Sequence, residues 1–302
     1  MSNELVINST QEGERIALLQ DKRLIEYHFD RNDTNYSVGD IFLGTVRKVM
    51  PGLNAAFVDI GYEKDAFLHY GDLGEQYPSL MKWVRGVQHG KAKAAGLDNF
   101  TFEAPLEKVG KAENVFKKGQ QLLVQIIKEP ISTKGPRVST DISMAGRYLV
   151  LVPFSNVISV SKKIVSKAER DRLKRLIASI KPANFGVIIR TVAEGRDVAE
   201  LDKDMQDMVS KWEQLYTTLR TAKSNDKVLG ELGRSSSMLR DMLNESFDSI
   251  TVDAPAMYEE MRSYLQKIAP DKLGLLKLHN AKVKVFEHTG IEKQLKTLFG
   301  KT

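Results

Sequence analysis

Between Val38 and Leu73 the chain breaks into apolar runs so short and closely set that only a small, sharply turned sheet accommodates them. Ile41 to Val49 alternates, Pro51-Gly52 punctuates, Ala55 to Ile60 runs into Gly61, and Asp65 to His69 follows a tight turn. Short strands with glycine breaks at this spacing predict a small barrel. Gln120 to Ile127 predicts a further strand. Glu129 to Arg137, with two prolines and a glycine, is read as a loop.

The flanks read differently. Leu5 to Asn8, Arg15 to Leu19 and Leu24 to Phe29 predict strands, the last two flanking a turn at Gln20 to Arg23. This block holds too little core to stand alone. It must pair with the α/β part after residue 200, which makes the barrel an insertion. Asp30 to Ser37 is read as polar linker, and Gly74 to Lys118 as a long, lysine-rich insertion or loop. Tyr148 to Val152 and Phe185 to Arg190 predict buried strands. Ser166-x-x-Glu169 is a capping-box pattern opening a helix with Leu173, Leu176, Ile177 and Ile180 on one face. Met205, Met208, Trp212, Leu215 and Leu219 form the stripe of a long helix. Beyond it come a helical start at Met238 to Leu243, a strand at Ile250 to Val252 and a helix at Ala256 to Ile268. A strand at Ala281 to Phe286 and a helix at Ile291 to Phe299 complete the reading.

Composition narrows the function classes. Of 302 residues 42% are hydrophobic and 28% charged, which suits soluble globular domains and excludes disorder as the main state. No apolar run approaches the length of a membrane span, and Met1 to Leu5 carries no signal-peptide pattern. Without cysteine there is no disulfide framework, thiol nucleophile or cysteine zinc site, and a cytoplasmic setting is expected. From Lys82 to Arg137 eleven basic residues face five acidic ones, so this window alone carries the chain's net +6. A local basic excess is the footprint of a polyanion binder, although scattered solvated lysines give the same count.

Among side chains, Phe57 and Phe67 fall on adjacent predicted strands, with His69 at the end of the second. Exposed aromatics there stack on unpaired bases. An isolated strand phenylalanine is more often core, but the Gly44, Gly61 and His69 context favours the exposed alternative. Arg190-Thr191 ends a strand and offers a planar fork and a hydroxyl to a phosphate; without context, a solvated strand-end arginine is the plainer reading. The basic residues of the helix after Ser166, with Lys162 and Lys163, read as a wet face. Asp202-x-Asp204-x-x-Asp207 is read as helix-start capping and solvation rather than a metal site. The five histidines have no metal-ligand spacing. No P-loop, dinucleotide glycine pattern or nucleophile elbow occurs, so the residues alone show a binding surface and no catalytic constellation.

The barrel segment resembles the S1-type RNA-binding domain, an OB-fold. From end to end the chain resembles the N-terminal part of the ribonuclease E/G family. The anchors are Ala55 to Gly61, Thr133-Lys134-Gly135, Ala145 to Pro153, Gly186 to Thr191 and Ile291 to Leu295. The resemblance implies an α+β multidomain chain: an RNase H-like domain (1–37 and 236–285) interrupted by an S1 OB-fold barrel with a basic insertion (38–139) and a 5′-sensor α/β region (140–235). Residues 286–302 would begin a DNase I-like domain. It implies the RNA-binding and 5′-monophosphate-sensing portion of a single-strand-specific, magnesium-dependent endoribonuclease of RNA processing and decay. Phe57, Phe67, His69 and Lys134 would contact RNA, and Gly146, Val150, Lys162, Arg190 and Thr191 the 5′-phosphate, with Lys162 standing where the family has an arginine. The family's catalytic aspartates match no residue here and are expected beyond Thr302. No catalytic or metal-binding residue is therefore expected in this chain, no bound cofactor, and no activity of the chain alone. The partner is single-stranded RNA with a 5′-monophosphate. The parent is expected to be a homo-oligomer and this portion a monomer. The alternative is a non-catalytic S1-domain RNA-binding or scaffold protein.

Overall fold

The computed structural model describes residues 2–31, 36–231, 234–242 and 247–300. In chain order the strands are β1 Asn3–Ser9, β2 Gly13–Gln20, β3 Arg23–Arg31, β4 Ile41–Met50, β5 Ala55–Asp59, β6 Ala66–His69, β7 Gln121–Lys128, β8 Arg137–Ser139, β9 Met144–Ala145, β10 Leu149–Pro153, β11 Ile158–Val160, β12 Phe185–Ile189, β13 Lys227–Leu229, β14 Phe247–Val252 and β15 Leu276–Leu278. The helices are α1 Tyr77–Gln88, α2 Ala112–Val115, α3 Lys167–Ile180, α4 Val198–Leu219, α5 Arg234–Met242, α6 Pro255–Ile268, α7 Val285–His288 and α8 Ile291–Phe299. They divide into two units, Met1–Asn35 with Leu232–Thr302, and Tyr36–Glu231.

In the first unit a two-residue turn joins β2 to β3. Asp21 and Lys22 both take positive φ, 47° and 66°, the twist that suits a tight hairpin. The hairpin finds the later partner it needs: β1 pairs in parallel with β14, and the sheet order is β15-β14-β1-β2-β3. Alternate residues then serve two cores. Leu5, Ile7, Ile16 and Leu18 pack with Met261 and Leu265 of α6. Val6, Ala17 and Leu19 pack with Val285, Phe286, Ile291 and Leu295. The expected strand over Ala281–Phe286 is absent. Its alternating valines pair with no neighbouring strand, and burial of Val285 and Phe286 together is met by the helical turn α7.

In the second unit β4-β5-β6-β8-β7 close through the β4–β7 pairing into a five-stranded barrel compatible with an OB-fold, and β13 extends the edge of β4. Its interior holds Val46, Ala56, Val58, Ala66, Leu68 and Leu122, among others. The smaller sheet β11-β12-β10-β9 buries Leu149, Leu151, Val187 and Ile189 against Leu173 and Ile177 of α3 and the Met205–Leu219 stripe of α4. Ser166 caps α3 by accepting the Glu169 N–H, but Glu169 turns its carboxylate to Arg172 and the Gly195 N–H rather than completing a reciprocal box.

The segment expected as a loop over Gly74–Lys118 is built. Tyr77, Leu80, Met81, Val84 and Val87 bury one face of α1, and α4 ties down the chain beyond it. Trp212 stacks on Trp83 at 4.4 Å and donates its indole N–H to the Ala95 carbonyl at 2.8 Å. Tyr216 donates to the Ala92 carbonyl, and Asn184 to that of Leu97. Trp212→Ala should therefore cost about 3–5 kcal/mol, read as a lowered thermal midpoint, because it removes a fully buried ring and the tether together. The linker expected over Asp30–Ser37 lies in part (32–35) outside the described residues, as does the end of the helical start at Leu243.

Candidate nucleic-acid interface

Alternation settles which way the barrel aromatics face. Ala56, Val58, Ala66 and Leu68 are buried, whereas Phe57, Phe67 and His69 are half-buried on the outer surface. Phe57 sits directly opposite Phe67 in the β5–β6 register, with ring centres 5.8 Å apart edge to face. The core alternative for these two rings is thus excluded. His69 lies 6.5 Å from the Phe67 ring and accepts the Gly71 N–H through Nδ1. That bond leaves Nε2 as the protonated nitrogen of the neutral ring.

A groove of about 840 Å³ brings Phe57 and Phe67 together with Lys134, and adds Lys64, Lys128 and Ile131. His69 does not line it. Lys134 stands on a tight turn closed by two backbone hydrogen bonds with Ile131. Gly135 lets that turn lie against the barrel: a Cβ there would meet the Asp65 carbonyl oxygen at 2.3 Å. The turn is then fixed by the Phe67 N–H donating to Pro136, and by Arg137 gripping Asp72 with two hydrogen bonds at 2.7 and 2.9 Å. Lys64, Lys128 and Ile131 were missed from sequence. Only closure of the barrel gathers them.

The second site lies at one end of the smaller sheet. Val150 faces outward opposite Ile188 in the β10–β12 register, and Arg190, two residues on, continues that face. The turn Gly146 to Tyr148 connects β9 to β10. The Arg190 N–H donates to Tyr148, and its guanidinium Nη1 donates to the carbonyls of Gly146 and Arg147 at 2.9 and 3.3 Å. Thr191 shares a 2.9 Å hydroxyl contact with Ser161, and the exposed Lys162 follows immediately. Gly146, Val150, Lys162, Arg190 and Thr191 are therefore brought to one end of one small sheet.

What holds this turn is a residue that the sequence reading placed elsewhere. Asp204 is not at a helix start: Asp197 caps α4, accepting the Glu200 N–H, and Asp204 lies in the second turn. Its carboxylate accepts three successive backbone N–H groups, from Arg147, Tyr148 and Leu149, at 2.8–2.9 Å. Burial pushes the Asp204 carboxyl above its usual range, and the three donors pull against that. Gly146 is required beside it, since a Cβ would lie 2.5 Å from the carboxylate.

On the other side, Glu169 of α3 anchors the loop after Thr191. Its two oxygens take the Arg172 fork at 2.7 Å each and the Gly195 N–H at 2.8 Å, and Arg172 also reaches the Arg196 carbonyl. The Arg172 bonds, then the Gly195 N–H, hold the Glu169 carboxyl down at about 2, against 4.5 for the free group. A depressed carboxyl stabilises the fold above its unfolded value and loses that contribution as pH falls from 4.5 toward 2. Glu169→Gln should flatten this acid-side drop in thermal midpoint, while leaving the slope above pH 5 unchanged. Arg170 likewise donates to the carbonyls of Ser161 and Ile164, so the basic helix is not merely a wet face.

The ribonuclease E/G family model matches residues 143–302, which includes this second site. Ribonuclease G from Escherichia coli K12 is 32% identical over 295 residues, 98% of this chain and 56% of that protein. The chain belongs to the ribonuclease E/G family. Ribonuclease G from Haemophilus influenzae is also 32% identical, over 99% of this chain and 57% of that protein. Ribonuclease E from a Nostoc strain is 34% identical over 77% of this chain and 30% of its own length. The chain thus spans little more than half the length of the ribonuclease G relatives. Among its described residues no group of three or more histidines and carboxylates is placed to hold a metal ion. Asp204, the most buried carboxylate at the site, is committed to backbone donors. No described helix is long and apolar enough to cross a membrane.

Proposed function

We propose that this chain is the RNA-binding and 5′-end-sensing portion of a ribonuclease E/G-type endoribonuclease. Single-stranded RNA lies on the barrel face, where Phe57 and Phe67 stack on bases and Lys134 meets phosphate. A 5′-monophosphate is received where Arg190, Thr191 and Lys162 converge. The observation that carries the reading is the shared groove of Phe57, Phe67 and Lys134: two outward rings beside a cation suit unpaired bases and their backbone, whereas a duplex hides its base faces. At the second site the turn carbonyls of Gly146 and Arg147 orient the guanidinium, and Thr191 supplies a hydroxyl. A planar fork with a neighbouring hydroxyl suits a terminal phosphate dianion.

The sheet of the first unit supports an RNase H-like assignment for residues 1–37 and 236–285. Three antiparallel strands with two further strands parallel to the first is the order that assignment requires. Magnesium-dependent cleavage, a homo-oligomeric parent and a cytoplasmic setting belong to this reading as features of the whole enzyme.

Fluorescence anisotropy with one RNA in three forms tests the proposal: single strand with a 5′-monophosphate, single strand with a 5′-hydroxyl, and duplex. The expected order of affinity is phosphorylated strand, hydroxyl strand, duplex. Equal affinity for the two single strands removes the sensor, and equal affinity for duplex removes the stacking face.

A further inference from the structure

A cavity of about 980 Å³ in the second unit is neither of the two sites above. It opens beside α1, the element the sequence reads as loop. Pro78, Lys82 and Arg85 of α1 and His89, which caps its end, recur at intervals of four, three and four residues, so they form one helical face, and all four line the cavity. From Lys82 to His89 this face extends about 10 Å. Lys91 continues it past the helix end.

The lining is cationic. Lys82, Arg85 and Lys91 face a single acid, Glu103. That acid is engaged by Lys82 at 2.8 Å. Arg85 and Lys91 are exposed and make no ion pair with a carboxylate among the described residues. His89 donates from Nδ1 to the Arg85 carbonyl at 2.7 Å, since a carbonyl can only accept, and this turns Nε2 away from the helix. Lys117 and Lys118, both exposed, stand on the turn between the lining residues Val115 and Gln120. The lining also offers a flat ring. Phe100 is half-buried, with the Lys82 ammonium 5.6 Å from its centre.

We infer that this cleft is a second RNA-contacting groove, which holds the phosphates of a further stretch of the single strand bound on the barrel face. The inference rests on the RNA-binding reading above. The cleft and the aromatic face are parts of one fold: Tyr77 and Phe116, which flank the cleft, pack into the same barrel core as the strands bearing Phe57 and Phe67. The unpaired cations Arg85 and Lys91, at and just past the C-terminal end of α1, suit a repeating polyanion, and the half-buried Phe100 ring suits a base. The basic excess of the Lys82–Arg137 window is thereby divided: Lys108, Lys111 and Arg137 are spent on Glu75, Glu113 and Asp72, whereas Arg85 and Lys91 keep their charge for a ligand.

The test compares wild type with Arg85→Glu/Lys91→Glu, both exposed positions, by anisotropy on hydroxyl-ended single strands of about 5 and about 20 nucleotides. The shorter is near the lower end of what one OB-fold covers. The longer RNA should bind the variant at least tenfold more weakly at low salt, and its log-log salt slope should be shallower by about two phosphate contacts. The shorter RNA should bind both proteins alike. Arg85→Gln/Lys91→Gln, which removes charge without reversing it, should fall between them. An unchanged affinity for the longer RNA overturns the inference, and the cleft would then suit an acidic protein segment instead. If Phe57→Ala still weakens binding in that case, the barrel reading stands without the cleft. If wild type binds neither RNA, both fall together.

Discussion

Asp204→Ala is expected to abolish the preference for 5′-phosphorylated RNA and to destabilise the second unit by roughly 3 kcal/mol or more. The loss follows from three N–H groups of the buried residues Arg147, Tyr148 and Leu149 left without their acceptor. Each such buried donor costs about 1–3 kcal/mol, a large part of a typical domain's margin of about 5–15 kcal/mol. The functional loss follows from what the turn does next. Its Gly146 and Arg147 carbonyls are the acceptors that aim the Arg190 guanidinium. Asp204→Asn separates the two effects. Its carbonyl can still take the Tyr148 and Leu149 donors, which share one oxygen, but its amide must face the Arg147 N–H. A smaller fall in thermal midpoint with a clear loss of phosphate preference is expected. Full phosphate preference in the folded asparagine variant would show that the turn does not position Arg190.

Phe57→Ala/Phe67→Ala is expected to weaken single-stranded RNA binding about a hundredfold without altering the fold. Stacking on an aromatic is worth about 1–3 kcal/mol per base, and about 1.4 kcal/mol is a factor of ten. Both rings lie on the outer face, so the barrel interior of Val58, Ala66 and Leu68 is untouched. Each single variant should lose about tenfold, measured by anisotropy on a hydroxyl-ended strand. The ratio between phosphorylated and hydroxyl strands should survive both substitutions, because the phosphate site lies on another sheet. A collapse of that ratio together with the affinity would mean that the two sites do not act separately.

The longer strands, β1 to β7, β10, β12 and β14, were legible because their burial alternates or runs continuously, whereas β8, β9, β11, β13 and β15, of two or three residues each, are too short to carry a pattern and were not anticipated. The apolar stripe of α4 was legible for the same reason at helical spacing. α1 was not, because Pro78, Gly86 and the surrounding lysines mask Leu80, Met81, Val84 and Val87, whose helical spacing makes sense only once Trp83 has Trp212 to stack on. Ala281–Phe286 failed in the opposite way. Its local alternation is real, but a strand needs a partner, and the core offers Val285 and Phe286 a helical turn. Of the candidate site residues, the outward direction of Phe57 and Phe67 and the pairing of Arg190 with the Gly146 turn could be anticipated from alternation and from resemblance. Asp204 could not. The three groups it accepts from lie 55–57 residues earlier in the chain, and nothing local distinguishes it from the other acids of that helix.

The measurement that reaches the central claim most directly is a two-by-two cycle: wild type and Arg190→Ala, each titrated with the same single strand bearing a 5′-monophosphate or a 5′-hydroxyl, at fixed salt. Wild type should prefer the phosphorylated strand. Arg190→Ala should bind both forms equally, at the affinity wild type shows for the hydroxyl strand. A preference that persists undiminished in Arg190→Ala would contradict the assignment of this site to the 5′-phosphate.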